Sequence, residues 1–398
     1  MRNTLKPGIL EMMLVSIAHK ASWLCLILMC TLSCGGDPAT RDSATRSGHE
    51  VHIVTMRNPG GGYSLHSYDA EQLFRKGNSF LRRGQCELAV HYYDQLVNTF
   101  LSSGYVSPAL YNAGLCLEQS NNFAAAATRF SLLLERAPTS DDVKHASLRL
   151  LALEIRLKRN EKALERTEKL LEDETLSIAD RAEVMASRAQ ALFALGRFAS
   201  AEHQARQTLQ YYESIDLHSE FGDRYFVAAA NFILAEVLRT RAESVAFGKQ
   251  NRDEQRQSFK KRVNLLLDAQ KEYFKCIRWA VPHWAVAAGY HIGGMYEALW
   301  QDLMSAPLPS DVSKTDEGTY HDELKALLQP LVRHAIRYWE LTLRIVERTG
   351  TRSAWTKRTR AELERIRVKA YEEWLPEDGT LFYGVEGSEH TVEATGIR

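Results

Sequence analysis

Two glycines, Gly77 and Gly114, open the same pattern. Twelve residues after each comes an alanine, Ala89 or Ala126. Four further on is an aromatic, Tyr93 or Phe130, and three beyond that a leucine, Leu96 or Leu133. Pro138 closes the second unit. A third copy places Ala189 where the glycine stood, followed by Leu192, Gly196 as a turn, Phe198 and Ala201, with Ala205 in place of the aromatic. Apolar residues around these markers recur three and four apart, the helical period. A small residue at a fixed place on each of two consecutive helices lets their backbones approach closely, and large neighbours such as Phe80, Leu117 and Leu192 fill the space beside them. The pattern predicts helical hairpins; a generic helical bundle with chance alanines is the rival reading.

The rhythm resembles the tetratricopeptide repeat, a helix–turn–helix unit of about 34 residues. The resemblance implies an all-α solenoid and is carried well by residues 68–215. The stretch "HASLRLLALEIRLKRNEKALERTEKLL" is a degenerate unit with Ala163 in the alanine place and no glycine to fix its first helix. Residues 216–374 are expected to continue the array more loosely. Two long helices are expected around a charged join at Gly248–Arg262, with Ala269, Tyr273 and Cys276 in second-helix spacing. Ile292, Gly293 and Tyr296 then stand in first-helix register. Their second helix comes late, at Ala335 and Trp339, after a loop at Met304–Tyr320. A last helix from Ser353 to Trp374 is expected to cap the array. Residues 375–398 read as a loose tail.

The N-terminus reads as an address. "WLCLILMCTLS" at Trp23–Ser33 is too short for a comfortable span and suits the core of a secretion signal. The following "TLSCGGD" resembles the bacterial lipobox, in which a signal at 1–33 is removed before a lipid-bearing cysteine, Cys34. Asp37 stands one place too late for inner-membrane retention, and the resemblance therefore implies the outer membrane; a periplasmic or secreted form is the alternative. Residues 34–67, rich in Gly, Ser, Thr and charge, read as a flexible tether.

Function classes narrow from here. The chain of 398 residues carries 50 basic and 50 acidic side chains, which argues against a general nucleic-acid binder. Six cysteines form no CxxC pair. Cys86, Cys116 and Cys276 read as small core residues, with a Cys86–Cys116 disulfide left open. No HExxH, GxSxG, GxxxxGK or EF-hand loop occurs. His283 and His291 lie two helical turns apart near Trp284 and Tyr290 without a third ligand, so no metal, cofactor or small-molecule substrate is expected. From Arg333 to Lys369 eleven Lys/Arg face four Asp/Glu. That run suits either an anionic partner or a solvated helix face laced by pairs such as Glu362–Arg365 and Glu364–Arg367.

By the family resemblance, Phe74, Asn78, Tyr111, Leu115 and Glu118 would project into the concave face that binds an extended segment. Asn78 and Asn112 match the two asparagines of the family's carboxylate clamp. Phe74 and His145 replace its lysines, and a mixed aromatic and polar groove for a protein segment is the expectation. The chain therefore reads as a non-catalytic scaffold that meets other envelope proteins through the concave face and the membrane through Cys34. Within that class the rhythm resembles outer-membrane assembly and Tol-associated repeat proteins, and the repeat lipoproteins of gliding machinery. A soluble or secreted binding module is the alternative, and an enzyme domain within 216–350 a further one.

Overall fold

The computed structural model describes residues 52–57, 63–214, 224–248, 251–313 and 315–374. The leader 1–33, Cys34 and the tail 375–398 lie outside the described residues. The polypeptide divides into two units, residues 1–142 and 143–398. The boundary between the compact units, at Asp142, does not coincide with the expected change from regular to looser repeats at 215. The physical reason is that the helices on either side of 215 are tied together, as by the 2.5 Å Arg241–Glu202 ion pair and the Tyr212–Trp279 ring contact.

The first unit begins with an antiparallel hairpin, β1 (His52–Arg57) and β2 (Tyr63–Tyr68), in the register His52↔Tyr68 to Arg57↔Tyr63. Within the expected tether 34–67 the alternating "HIVTMR" and "YSLHSY" pair as strands, while 34–51 and 58–62 lie outside the described residues. Four helices follow: α1 (Ala70–Arg82), α2 (Cys86–Thr99), α3 (Val106–Gln119) and α4 (Phe123–Arg136). Asp69 caps α1 by accepting from the Gln72 amide at 2.7 Å, and Asn122 starts α4 in the same way with the Ala125 amide.

The second unit holds α5 (Val143–Arg156), α6 (Asn160–Leu171), α7 (Ile178–Ala194) and α8 (Phe198–Ser214). Longer helices follow: α9 (Tyr225–Glu243), α10 (Arg252–Arg278), α11 (Pro282–Met304), α12 (Glu317–Thr349) and α13 (Ala354–Trp374). The charged join expected at Gly248–Arg262 is instead mostly helix. Asn251 and Glu254 form a reciprocal capping box, so α10 starts at Arg252 and runs through the charges. Helix α9 is buried continuously from Val227 to Val237, as expected of a helix apolar on all sides. Helix α12 starts at Glu317 and accommodates Pro330 within it.

The four hairpins α1–α2, α3–α4, α5–α6 and α7–α8 turn alike. One residue in each turn takes the left-handed conformation: Gly84, Asn121, Lys158 and Gly196. The next residue's amide reaches back to a carbonyl five residues earlier: Gln85 to Phe80, Asn122 to Leu117, Arg159 to Glu154, and Arg197 to Leu192, at 2.8–2.9 Å. This is the Schellman closure, which satisfies carbonyls at a helix end. It also fixes a common register, and through it the place of the small residue in the degenerate unit: Leu151 stands where Gly77, Gly114 and Ala189 stand.

The joints then follow one rule. A Cβ on Gly77 would lie 2.4 Å from the Tyr93 ring, and one on Gly114 would lie 2.6 Å from Phe130. In the third hairpin the sizes invert, with Leu151 opposite Thr167, and in the fourth they even out as Ala189 with Ala205; all four are buried. The alanine at the crossing, Ala89, Ala126, Ala163 or Ala201, is fully buried every time. Gly293 on α11 repeats the joint with Trp339 on α12, 2.4 Å from an added Cβ, although Trp339 follows it by 46 residues where Tyr93 follows Gly77 by 16. Pro138 is exposed just after α4.

Candidate functional site

The five residues expected to line a partner face separate into two groups. Phe74 and Asn78 are buried, at 2% and 4% exposure, and offer no surface. Tyr105, where the chain enters α3, lies over Phe74 at a 5.2 Å ring separation, and Tyr93 packs beside it. Asn78 accepts from the Tyr93 hydroxyl at 2.6 Å and from the Asn112 amide at 3.1 Å, joining α1, α2 and α3. Asn78, expected in the groove, is thus held inside the core, as is Asn112, the other asparagine that matched the clamp pattern. Burial, with lesser contributions from neighbours, pushes the Tyr93 phenol well above its ordinary pKa. Tyr111, Leu115 and Glu118 are half-buried, and Tyr111 lies edge-on against Phe130.

Cys86 and Cys116 are free thiols, as is Cys276. Burial raises the Cys116 and Cys276 pKa strongly, which suits small core residues rather than nucleophiles.

A different face gathers polar groups that the fold does not use. Helices α6, α7 and α8 of the second unit border an open groove of about 540 Å³, lined by Arg181, Arg188, Gln204, Gln207, Gln210 and Tyr211 among others. It continues past Glu168 and His203 into a second recess that shares Arg188, Gln204 and Gln207. Gln204 is only 8% exposed, yet its side chain hydrogen-bonds to none of the described residues, and neither do those of Gln207 and Gln210. Each amide carries both donor and acceptor, as a peptide bond does. Arg181 is oriented by the Leu171 and Asp173 carbonyls, and Arg188 lies 3.6 Å from Glu168. No local sequence signal marks this set, since glutamine and arginine between 181 and 210 look like ordinary solvated helix surface.

The region 216–350, where an enzyme domain was the alternative, holds a buried polar cluster around Glu236. Glu236 on α9 receives Arg239 at 2.7 Å, the Tyr273 hydroxyl from α10, and His291 Nδ1 from α11 at 3.2 Å. Burial raises the carboxyl pKa, but His291 and Arg239 outweigh it and hold Glu236 below its ordinary value. Burial favours neutral His291, against the pull of Glu236. Arg239 therefore carries the charge balance, with Glu243 as its second partner at 2.5 Å. His291 is enclosed by the Tyr273 and Trp355 rings, whereas His283 lies against Tyr225 and Trp284. The two histidines do not converge on a ligand. Among the described residues no group of three His, Cys, Asp or Glu is placed to hold a metal ion. The cluster ties three helices rather than opening onto a cavity.

Trp339 is buried and donates to the Tyr290 carbonyl at 2.9 Å, and Trp355 packs on Tyr290. No described helix is long and apolar enough to cross a membrane.

Comparison with known proteins agrees with the joints. Residues 74–141 match the family model "Tetratricopeptide repeat", and this stretch of the chain belongs to that family. Solved structures with detectable likeness include three bacterial-type repeat proteins. One is MamA from Desulfovibrio magneticus RS-1, at 15% identity over 50% of this chain and 96% of that one, TM-score 0.34. Another is YrrB, described as a TPR protein with an unusual peptide-binding site, at 17% identity over 51% and 92%, TM-score 0.34. The third is a tetratricopeptide repeat protein from Parabacteroides merdae, at 14% identity over 75% and 98%, TM-score 0.38. No curated protein matches the sequence. Repeat and match together define the fold class: a protein of helical-hairpin repeats.

Proposed function

We propose that the chain is a non-catalytic scaffold of a bacterial envelope complex, anchored through a lipidated Cys34, which grips an extended segment of a partner protein in the α6–α8 groove. The observation that carries the groove is its lining: Gln204, Gln207 and Gln210 of α8 keep side-chain amides that bond to none of the described residues, beside Arg181 and Arg188 of α7. A row of amides at Gln204, Gln207 and Gln210 suits the alternating N–H and C=O groups of an extended backbone. Arg181 and Arg188 add a preference for an acidic side chain. The anchor is supported by the "TLSC" signal. An outer-membrane assembly, Tol-associated or gliding complex is the setting that the sequence rhythm resembles.

Two measurements test the proposal separately. A fatty-acid analogue should label the wild type and leave Cys34→Ser unlabelled; equal labelling of both rejects the anchor. Crosslinking in envelope fractions should give partners that are lost on Gln207→Leu with Arg188→Leu while the helical spectrum stays unchanged. Partners retained by that variant reject the groove.

A further inference from the structure

The basic run Arg333–Lys369 is not one population of charges. Its C-terminal part is neutralised in place. Arg365 is held by Glu297 at 2.5 Å and by Glu362 at 2.7 Å. Arg367 pairs with Glu340 at 2.6 Å, not with Glu364 as the sequence spacing suggested. Lys369 lies over the Trp300 ring at 4.4 Å. Six cations behave differently. Arg344 and Arg348 stand in the last turns of α12, Arg352 in the connection, and Lys357, Arg358 and Arg360 in the first turns of α13. All six are exposed, and none has an ion-pair partner among the described residues. Arg358 alone has a fixed neighbour, the Trp355 ring at 4.9 Å. The one acid among them is Glu347, itself exposed.

Arg348 complements the dipole at the end of α12, but the six together crowd like charge. At about 1.5 Å of rise per residue, all six lie within about 10 Å of helix length from the connection. That is close to the Debye length of about 8 Å at physiological salt, so they repel one another. Elsewhere the same unit pairs its arginines, as Arg166 with Glu154, Arg239 with Glu236 and Arg241 with Glu202. Charge left uncompensated at one end of one hairpin is available to an outside anion.

We propose that the α12–α13 end is a docking surface for the anionic headgroups of a phospholipid bilayer. Five of the six cations are arginine, whose planar fork takes two oxygens of one phosphate at once. Neither groove of the second unit includes them; they sit on a helix–helix connection, an end that meets a sheet of charge rather than a recess that encloses a chain. Juxtaposed basic residues attract anionic lipid roughly additively. The inference draws on the envelope reading only for a membrane being at hand. It needs neither the Cys34 lipid nor the α6–α8 groove.

The test uses the full chain as Cys34→Ser, so that no lipid anchor contributes, with vesicles of phosphatidylcholine alone or with about one-third phosphatidylglycerol. Binding should be at least about tenfold stronger to the anionic vesicles and should weaken as salt rises. Combining Arg344→Gln, Arg348→Gln and Arg352→Gln should weaken anionic binding roughly a hundredfold, about fivefold per charge, with the helical spectrum unchanged. Arg367→Gln, a cation already paired, should change it less than about twofold. Equal binding to both vesicle types overturns the proposal, as does a triple variant that binds like its parent. So does tighter retention by polyglutamate than by anionic vesicles, which would assign the patch to an acidic protein. Because the protein carries no lipid in this assay, failure here leaves the fatty-acid label on Cys34 and the groove crosslinks as separate results.

Discussion

In the first unit the joints are Gly77 against Tyr93 and Gly114 against Phe130, and the Oδ1 of the polar residue beside them, Asn78, accepts from both Tyr93 and Asn112. In the second unit the equivalent pairs are Leu151 with Thr167 and Ala189 with Ala205, and nearby amides at Gln204, Gln207 and Gln210 are unengaged. What is common to the two units is that the residues at the crossing are buried; neither their identity nor their summed volume is kept, since Ala189 with Ala205 is much smaller than Gly77 with Tyr93. Where a large aromatic fills the crossing, its neighbours are drawn into the core. Where two small residues meet, the adjacent helix faces keep free polar groups, and a groove results.

The comparison can be broken most severely at the late joint. Trp339→Ala removes the residue that fills the space beside Gly293 and should cost about 3–5 kcal/mol by chemical denaturation. A loss under about 1 kcal/mol would mean that the α11–α12 pair is not a repeat joint. Arg239→Leu leaves Glu236 buried without its main compensating charge and should cost about 3 kcal/mol; a neutral outcome would show the cluster to be solvated. The adjacent glycines of α11 then sharpen the rule. Gly293→Ala should destabilise by about 1–3 kcal/mol, because its Cβ meets Trp339. Gly294→Ala has nothing within 4 Å and should stabilise by about 0.4–1 kcal/mol. Effects of the same sign at both positions would contradict a joint specified by close approach.

The smallest expected effect is on pH. His283, His291 and His334 are each held below 6.5 by burial. The unfolded chain therefore binds more protons just below pH 6.5, and stability rises with pH through that window. It is fully present above pH 6.5 and lost progressively as pH falls. Glu236, also depressed, adds a further loss as pH falls through its folded value, below 4.5. Denaturant midpoints at pH 7.5 and 5.5 should differ accordingly, and His291→Phe should show a shallower dependence. Greater stability at pH 5.5 than at 7.5 would reverse the account of these histidines.

These contrasts explain what the sequence made legible. The glycine–aromatic joints could be read because both partners sit at a fixed spacing, and Gly293 with Trp339 could be aligned across a long insertion for the same reason. The third hairpin could not be placed, because inverting the sizes to Leu151 and Thr167 erases the glycine that marks the register. The unit boundary at Asp142 was not legible because the ties across residue 215, such as Arg241–Glu202, are long-range. Phe74 and Asn78 were placed on the partner face by family register alone. It is Tyr105, from the α2–α3 connection, that covers Phe74, and Asn112, from the next hairpin, that engages Asn78. The glutamines of the groove carry no local signal at all; only the packing of α6, α7 and α8 collects them.

The account places the partner-binding face on the second unit and not on the face first expected in the first. A photo-crosslinking residue introduced at Gln207, and separately at Leu115, tests this most directly in envelope preparations. The account predicts a discrete crosslinked species from position 207, abolished by Arg188→Leu, and none from position 115. A species from position 115 with none from 207 would contradict it and return the binding face to α3.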